Sequence, residues 1–235
     1  MSDLRIALIA EGPTDEIIIK SALKAILPKP FILTLLQPEP TRPDLGGGWG
    51  GVLKWCRKFR SRGFVNFEHD PTLGLYDLFI LHLDADVAHF SYADISRDIE
   101  QESQQVGWGA LPCCKECPPP ETTIINLKPV LLSWLGIGVV GDRTVICIPS
   151  KSSETWLAVA AYPNNQALLN SLECVLNMET RLAQLPKGKR IKKCTREYRN
   201  YEATVKSKWD VVRRKCSRAN TFHHEFGEAV QRLTS

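Results

Sequence analysis

Residues 6–16 read IALIAEGPTDE, and residues 78–86 read LFILHLDAD. Each stretch starts with a short apolar run rich in Ile and Leu and ends in carboxylates, which is typical of a buried strand with acid at its C-terminal tip. In an open α/β sheet, ligands bind at the carboxyl ends of the strands. The two stretches therefore predict an α/β fold in which two acidic strand ends meet at one edge of the sheet.

Strand and helix patterns alternate along the first two-thirds of the chain. Strands are predicted at residues 4–10, 31–36, 76–83 and 144–148. Helices are predicted from Pro13 to Leu27 with Thr14 as the N-cap, at 52–62, at 91–104, at 122–135, and through Ala161 with Ser152 or Ser153 as the cap. This order predicts a Rossmann-like, mostly parallel sheet flanked by helices.

The remaining segments are interpreted as loops and as a helical C-terminal part. Residues 37–51, rich in Pro and Gly, and residues 107–120, which hold three cysteines, are predicted to be loops. From residue 165 onward the pattern is helical, interrupted by a basic linker at 186–196. We therefore expect an α/β domain over residues 1–162 and a basic helical extension over residues 163–235, packed on or beside it.

The composition is that of an ordinary globular protein, with 235 residues of which 43% are hydrophobic. No apolar run approaches the roughly 20 residues needed to cross a bilayer, so no membrane association is expected. The N-terminal residues lead straight into a strand and lack the features of a signal peptide, so a cytoplasmic protein is expected. The eight cysteines are then expected to stay reduced.

Positive charge is concentrated in the C-terminal third. Residues 187–218 contain thirteen lysines and arginines but three acids, although the whole chain has a formal net charge of +4. Such a stretch is typical of non-specific, salt-dependent contact with a nucleic-acid backbone, and a solvated helix face is the alternative. The residues expected to make the contact are Lys189, Arg190, Lys192, Lys193, Arg213 and Arg214. Tyr201 and Trp209 lie among these charges and fit either base stacking or core packing.

Acidic side chains follow three of the predicted strands. Glu11 and Asp15 follow the first strand, Asp84 and Asp86 the third, and Glu154 the fourth. Mg²⁺ and Mn²⁺ prefer hard oxygen ligands of this kind, so a divalent metal site is predicted at the shared sheet edge. Two alternatives stay open at single positions: Glu11 or Asp15 as helix-start acids, and the Asp-x-Asp pair as a turn.

Other metal or phosphate signals in the sequence are weaker. Half of a zinc site is suggested by the spacing of Cys113, Cys114 and Cys117. A second half would need the distant residues Cys194, Cys216, His223 and His224, so zinc is not the expected ion. His82 is interpreted as a packed core histidine, and His89 as an acid or base beside the site. Residues 46–51, GGGWGG, lack the Lys-Ser that completes a phosphate loop.

The acids resemble the metal-binding pattern of the TOPRIM domain. That family carries a glutamate after its first strand, matched here by Glu11, and an Asp-x-Asp after a later strand, matched by Asp84 and Asp86. The form EGPTDE at residues 11–16 is more similar to the OLD-type branch, the overcoming-lysogenization-defect nucleases and their bacterial defence relatives. In that branch an acid four residues after the glutamate joins the metal site, and Asp15 occupies this position.

A second segment, IPSKSSETWL at residues 148–157, is similar to a Glu-x-Trp-Leu segment of small standalone TOPRIM-like proteins. The resemblance implies Glu154 as a further acid at a second metal and Lys151 as a contact to phosphate or to the transition state. The cysteine cluster and the Gly-rich loop depart from the family pattern. The chain has no P-loop motif, so the resemblance implies that the ATPase half of OLD nucleases would come from a separate partner protein.

The sequence therefore predicts a metal-dependent nuclease that hydrolyses phosphodiesters in DNA or RNA with Mg²⁺ or Mn²⁺. Its predicted catalytic residues are Glu11, Asp84, Asp86 and Lys151. The resemblance implies an effector role in bacterial antiviral defence. One alternative is a non-catalytic module that binds nucleic acid or nucleotide and regulates a partner ATPase, and another is a phosphatase-like or nucleotidyl-transfer enzyme. Assembly into a homo-oligomer is compatible with the sequence and is left open.

Overall fold

The computed structural model describes residues 3–39 and 46–233. The strands within this part form one four-stranded sheet. They are β1 (Leu4–Ile9), β2 (Phe31–Gln37), β3 (Leu78–His82) and β4 (Thr144–Cys147). The strand order is β2-β1-β3-β4, and every neighbouring pair is parallel. The predicted α/β class with a parallel sheet is confirmed.

Helices connect the strands and make up the C-terminal part. The first five are α1 (Pro13–Ile26), α2 (Gly48–Arg60), α3 (Arg97–Val106), α4 (Glu121–Leu135) and α5 (Glu154–Ala161). They are followed by α6 (Gln166–Leu169), α7 (Met178–Ala183), α8 (Thr195–Arg199), α9 (Glu202–Ser207), α10 (Trp209–Lys215) and α11 (Ser217–Arg232). Across the described residues, none of these helices has both the length and the apolar character needed to cross a membrane.

The sheet separates two hydrophobic cores because successive strand residues point to opposite faces. On β1, Ile6 and Leu8 pack into one core together with α1 and α5. Ala7 and Ile9 pack into the other core together with α2 and α4. The architecture is therefore a three-layer α/β/α sandwich, in which the parallel strands are covered on both faces.

The C-terminal helices belong to the first of these cores. Trp209 of α10 and Phe222 and Phe226 of α11 share this core with β1 and α1. Trp209 is 3% exposed, which favours core packing over stacking on bases. Residues 163–233 therefore pack directly against the helical layer of the sheet, and the domain boundary at residue 162 stays a prediction.

One predicted helix is capped by a different residue in the structure, and another is divided in two. Gly12, rather than Thr14, is the N-cap of α1, because Pro13 takes the first helical position, where its missing N–H is not needed. The helix predicted at 91–104 is divided into a 3₁₀ turn and α3. The division falls at Ser96, whose side chain caps α3 by accepting a hydrogen bond from the Ile99 N–H.

The helix predicted at 52–62 starts earlier than expected. α2 begins at Gly48, whose N–H donates a hydrogen bond of 2.8 Å to the carbonyl oxygen of Glu11. Gly48 has a φ of +65°, a conformation that glycine adopts without steric cost. The loop prediction for 37–51 is therefore wrong from residue 48 onward, and residues 40–45 of it lie outside the described residues.

The expectation that all eight cysteines stay reduced is wrong for two of them. Cys117 and Cys174 form a disulfide bond although they are 57 residues apart in sequence. The fold brings the loop at 107–120 against the 3₁₀ turn Leu172–Cys174, a contact that spacing alone does not reveal. This bond ties the loop after α3 to the C-terminal helices.

Candidate metal centre

The predicted acids meet at the carboxyl edge of the sheet. β1 and β3 are neighbours, and the chain leaves β1 toward β2 on one side and β3 toward β4 on the other. Glu11 lies two residues past the end of β1, and Asp84 two residues past the end of β3. The crevice between these strand ends is the topological switch point at which ligands bind in open α/β sheets.

Glu11 connects the two acidic strand ends. Its Oε1 atom accepts a hydrogen bond of 2.8 Å from the backbone N–H of Asp84. Burial raises the pKa of Glu11 well above its usual value, and the neighbouring Asp84 and Asp86 raise it further. The carboxyl group is thus held at the centre of a negative cluster.

Ser153 donates hydrogen bonds to the two most buried aspartates of this cluster. Its hydroxyl group donates a hydrogen bond of 2.6 Å to Oδ1 of Asp15, and its backbone N–H donates one of 3.1 Å to Oδ1 of Asp84. Asp15 is 2% exposed and Asp84 5% exposed. Ser153 is the N-cap residue of α5, which confirms one of the two caps predicted from the sequence. Its hydroxyl group donates to Asp15 and makes no capping hydrogen bond with the helix backbone.

His82 is buried, as predicted, but it faces the acids. Its Nε2 atom lies 3.2 Å from Oδ1 of Asp84, and its Nδ1 atom has no hydrogen-bond partner. A buried polar nitrogen without a partner is costly, so this ring is suited to bind a further group. The sequence indicates this orientation, because His82 lies two residues before Asp84 and alternate residues of a strand point to the same face.

The Asp-x-Asp pair carries perturbed carboxyl groups. Burial raises the pKa of Asp84 well above its usual value, followed by the charges of Asp15 and Glu154. Burial also raises the pKa of Asp86 to about 6, with Glu154 as the next cause. Such shifts express a local excess of negative charge that a cation would relieve.

Glu154 lies beside the cluster and is paired with protein groups. Its Oε1 atom is 3.0 Å from the Lys193 ammonium and accepts a hydrogen bond of 3.1 Å from the Tyr198 hydroxyl. Its Oε2 atom is buried and has no hydrogen-bond partner. Burial acts to lower the pKa of Lys193, but the charge of Glu154 raises it above the usual lysine value.

Two sets of side chains have ligand atoms close enough to share a cation. The inner group is Asp15, His82 and Asp84, and the outer group is Glu11, Asp84 and Asp86. Within each group the ligand atoms lie within 4.8 Å of one another. The donor set fits a divalent metal, because carboxylates suit Mg²⁺ and Mn²⁺ and the buried imidazole of His82 suits transition metals.

Lys151 and His89 form a pair at the rim of this centre. Lys151 is buried, and its Nζ atom lies 3.2 Å from Nε2 of His89. The carbonyl oxygen of Lys151 accepts a hydrogen bond of 3.0 Å from the backbone N–H of Asp86. Burial lowers the pKa of both side chains, and the charge of Lys151 lowers that of His89 further.

The residues predicted to contact nucleic acid are divided between several surroundings. Lys189, Arg190 and Lys192 are exposed in the segment before α8. Lys193 pairs with Glu154, as described above, and Arg213 forms an ion pair of 2.9 Å with Asp210. A cleft on α2 is lined by four basic residues, Lys54, Arg57, Lys58 and Arg60, and by Glu102 of α3, which forms an ion pair of 2.5 Å with Arg57. Its position was not predicted from the sequence.

The cysteines lie outside both groups of potential ligands. Cys117 is bonded to Cys174, so its sulfur offers no thiolate to a metal. The backbone N–H groups of Cys113 and Cys114 both donate hydrogen bonds to the carbonyl oxygen of Ala88, in the turn that carries His89. The loop at 107–120 is thereby held against the rim of the candidate centre.

Comparisons with protein-family models, with curated proteins and with solved structures found no match. The resemblance to TOPRIM-type sites therefore rests on the quoted motifs and stays a prediction. The function is inferred below from the geometry and charge of the acidic centre.

Proposed function

We propose that the protein is a metal-dependent hydrolase that cleaves phosphodiester bonds in nucleic acid. The observation that carries the proposal is the outer group, in which Glu11, Asp84 and Asp86 converge from two strand ends at the switch point of the sheet. An effector role in bacterial antiviral defence follows from the TOPRIM-type resemblance alone and is part of the proposal.

The chain's own residues would divide the work as follows. Glu11, Asp84 and Asp86 would hold the divalent ion, with Asp15 positioned by Ser153 behind them. When bound, the ion supplies an activated water and stabilises the leaving oxygen. Glu154 would shape the field of the site through its pair with Lys193.

Lys151 is proposed to neutralise charge on the phosphate in the transition state. Its buried side chain is oriented by His89, at 3.2 Å, and its backbone is bonded to that of Asp86. The His89 ring, with its lowered pKa, is suited to accept a hydrogen bond from the ammonium group. Lys151 therefore lies beside the outer group, and its contact with His89 orients its ammonium group.

Nucleic acid is the proposed substrate because an acidic metal centre and exposed basic segments occur on one chain. The exposed side chains of Lys189, Arg190 and Lys192 offer charge for contacts to the phosphate backbone. Such contacts position a substrate without reading its sequence. DNA and RNA are both retained in the proposal.

A second candidate is a non-catalytic metal-containing module that binds nucleic acid or nucleotide and regulates a partner ATPase. Asp15, His82 and Asp84 are all nearly inaccessible to solvent, which favours a retained ion over one that meets substrate. In this alternative the acids hold the ion only to stabilise the binding surface.

Cleavage assays with conservative variants test the proposal. Wild type, Glu11→Gln, Asp84→Asn and the control Glu16→Gln would be incubated with single- and double-stranded DNA and RNA in Mg²⁺, Mn²⁺ or EDTA. Glu16 is a matched control, because it lies next to Asp15 on α1 but belongs to neither ligand group. We expect cleavage by wild type and by Glu16→Gln, and only the EDTA background from the other two variants.

The same assay separates the two candidates. Equal cleavage by wild type and by Glu11→Gln would contradict a role for the outer group. Binding of nucleic acid without cleavage by any form, across all substrates and both ions, would reject the hydrolase and support the module.

A further inference from the structure

We infer that the centre has two unlike metal positions, and that the inner group selects a first-row transition-metal ion over Mg²⁺. The inner group is Asp15, His82 and Asp84, and the outer group of Glu11, Asp84 and Asp86 contains carboxylates alone. This inference rests on the proposed metal centre but concerns which ion each position takes.

The chemistry of the ligands separates the two positions. Mg²⁺ demands oxygen ligands and keeps several waters, whereas imidazole nitrogen suits later first-row ions such as Fe²⁺, Co²⁺ and Zn²⁺. His82 supplies nitrogen to the inner group, and no nitrogen ligand occurs in the outer group. The outer group is therefore suited to Mg²⁺ or Mn²⁺, and the inner group to a transition metal.

The state of His82 is the independent sign of a ligand at the inner position. Its side chain is completely buried, Nδ1 lacks a hydrogen-bond partner, and the described polar contact of Nε2 is the one of 3.2 Å to Asp84, itself a member of the inner group. A buried nitrogen of this kind loses its hydration without compensation. A metal–nitrogen bond would give one ring nitrogen the partner that the protein does not provide.

The distances within the inner group agree with shared coordination. Nε2 of His82 and Oδ1 of Asp84 are 3.2 Å apart. Two ligand atoms that each lie about 2.1 Å from one ion, at right angles, are separated by about 3.0 Å. The two atoms are thus spaced as neighbouring ligands without rearrangement of the strand end.

The surroundings of the inner group also resemble those of a retained ion. Ser153 donates hydrogen bonds to both aspartates, which orients them as outer-shell donors orient metal ligands. The inner side chains are buried, whereas Glu11 and Asp86 of the outer group are partly exposed. The inner ion is therefore expected to stay bound, and the outer ion to exchange with solvent and meet substrate.

Cobalt titration without nucleic acid tests this inference. Metal-free wild type would be titrated with Co²⁺ in the presence and absence of excess Mg²⁺, with visible absorption and bound metal measured after gel filtration. We expect one equivalent of Co²⁺ per protein chain to stay bound in excess Mg²⁺, here called the resistant equivalent. A second equivalent should be displaced by Mg²⁺. Glu11→Gln should keep the resistant equivalent, because Glu11 belongs to the outer group alone.

His82→Gln should lose the resistant equivalent and its absorption band. Loss of an outer-shell partner alone costs about 10–100-fold in metal affinity, so loss of the ligand should weaken Co²⁺ binding by at least about 100-fold. Circular dichroism checks the fold of the variant. If His82→Gln fails to fold, Asp15→Asn replaces it, since Asp15 also belongs to the inner group alone.

Two outcomes would overturn the inference: displacement of all Co²⁺ from wild type by Mg²⁺, or an unchanged resistant equivalent in His82→Gln. Because no substrate is present, failure of the proposed hydrolase leaves this result intact. Conversely, Mg²⁺-dependent cleavage by wild type whose Co²⁺ is all displaced by Mg²⁺ would reject the inner transition-metal position and keep the hydrolase.

Discussion

The carboxyl groups of the outer group are partly shielded from water and lie close enough to repel one another. Glu11, Asp84 and Asp86 all have raised pKa values, with burial as the largest cause. A proton held by such a group in the metal-free protein is released when a cation binds, so metal affinity rises with pH. The charge of Lys193 lowers the pKa of both aspartates, and the same ammonium group forms an ion pair of 3.0 Å with Glu154.

Metal-free protein should lose stability as the pH rises from about 4 to 6. The pKa of Asp86 is raised from 3.8 to about 6 in the folded state, so over this interval the native state holds more protons than the unfolded state. The stability contributed by protonated Asp86 is fully present below its unfolded pKa of 3.8 and is lost as the pH rises through its folded pKa of about 6. Urea unfolding in EDTA would measure it.

The variant Asp86→Asn should flatten this pH dependence, and exposed Asp98→Asn on α3 is the control. Addition of Mn²⁺ to wild type should reverse the trend, because metal binding displaces protons. Identical pH profiles for wild type and Asp86→Asn would show that this carboxyl group does not carry the effect.

Replacement of Lys193 by Met should destabilise the protein through Glu154. Glu154 is completely buried, and without Lys193 its carboxylate keeps the Tyr198 hydroxyl as its described donor. A buried acceptor that loses its partner costs about 1–3 kcal/mol, so the free energy of unfolding should fall by that amount. Chemical denaturation of Lys193→Met and of exposed Lys192→Met would measure the difference.

The double variant Lys193→Met with Glu154→Gln separates charge from packing. Because Gln at position 154 is neutral, the double variant should recover part of the lost stability. Equal stability of Lys193→Met and Lys192→Met would mean that the ion pair has no structural value.

Among the elements, α5 links the candidate metal centre to the C-terminal helices. Ser153 and Glu154 at its start contact the site, and Trp156 two residues later is completely buried. The ring of Trp156 packs against Phe222 and Trp209, with centroid distances of 5.8 and 5.4 Å. The position of Ser153 against the two aspartates therefore depends on packing by helices near the end of the chain.

Trp156→Ala should lower the free energy of unfolding by about 3–5 kcal/mol, because it leaves a large cavity between α5, α10 and α11. It should also weaken metal binding, since α5 then loses the support that holds Ser153. Thermal denaturation and Co²⁺ titration would measure the two effects. The control is Val139→Ala at an exposed position, which should change stability by less than about 0.5 kcal/mol.

Preserved metal affinity in a destabilised Trp156→Ala protein would contradict this coupling. It would show that the strand ends alone position the acids, with no support from the packing of α5.

At the scale of the whole molecule, acid lies at the carboxyl edge of the sheet, and the described residues also carry two basic surfaces. One consists of the exposed residues Lys189, Arg190 and Lys192, and the other is the cleft on α2. α2 begins beside Glu11, so its basic C-terminal half leads away from the candidate metal centre. Either surface could guide a phosphate backbone toward the acids, and salt dependence distinguishes them.

The triple variant Lys189→Ala, Arg190→Ala and Lys192→Ala should reduce the salt dependence of nucleic-acid binding. Each lost phosphate contact lowers the slope of log K against log salt by about 0.7–0.9, so three lost contacts should lower it by about 2–3. Fluorescence anisotropy with single- and double-stranded oligonucleotides would measure the slopes.

A second triple variant, with Lys54, Arg57 and Lys58 changed to Ala, is the comparison. If the salt dependence of binding falls in this variant and not in the first, the interface lies on α2 and the prediction for residues 189–192 is wrong. Unchanged slopes in both variants would place the contact elsewhere.

Much of the fold could be predicted, because strands and helices are encoded locally. Apolar runs identified all four strands of the described sheet, and acids after them marked its carboxyl edge. The start of α2 was missed, because its first turn contains glycines whose helical conformation depends on a hydrogen bond to distant Glu11. The disulfide was missed for the same reason, since Cys117 and Cys174 meet only after folding.

The sequence by itself determined the order of elements, the buried strands and the acids at their ends, since periodicity and residue type act over a few neighbouring positions. Only the tertiary structure decided how those acids are used. It brings the buried His82 ring close to Asp84 and pairs Glu154 with Lys193. It also positions Ser153 so that it donates hydrogen bonds to both Asp15 and Asp84. These contacts join residues from separate elements, and the burial that shifts their pKa values exists only once the helices have closed over the sheet.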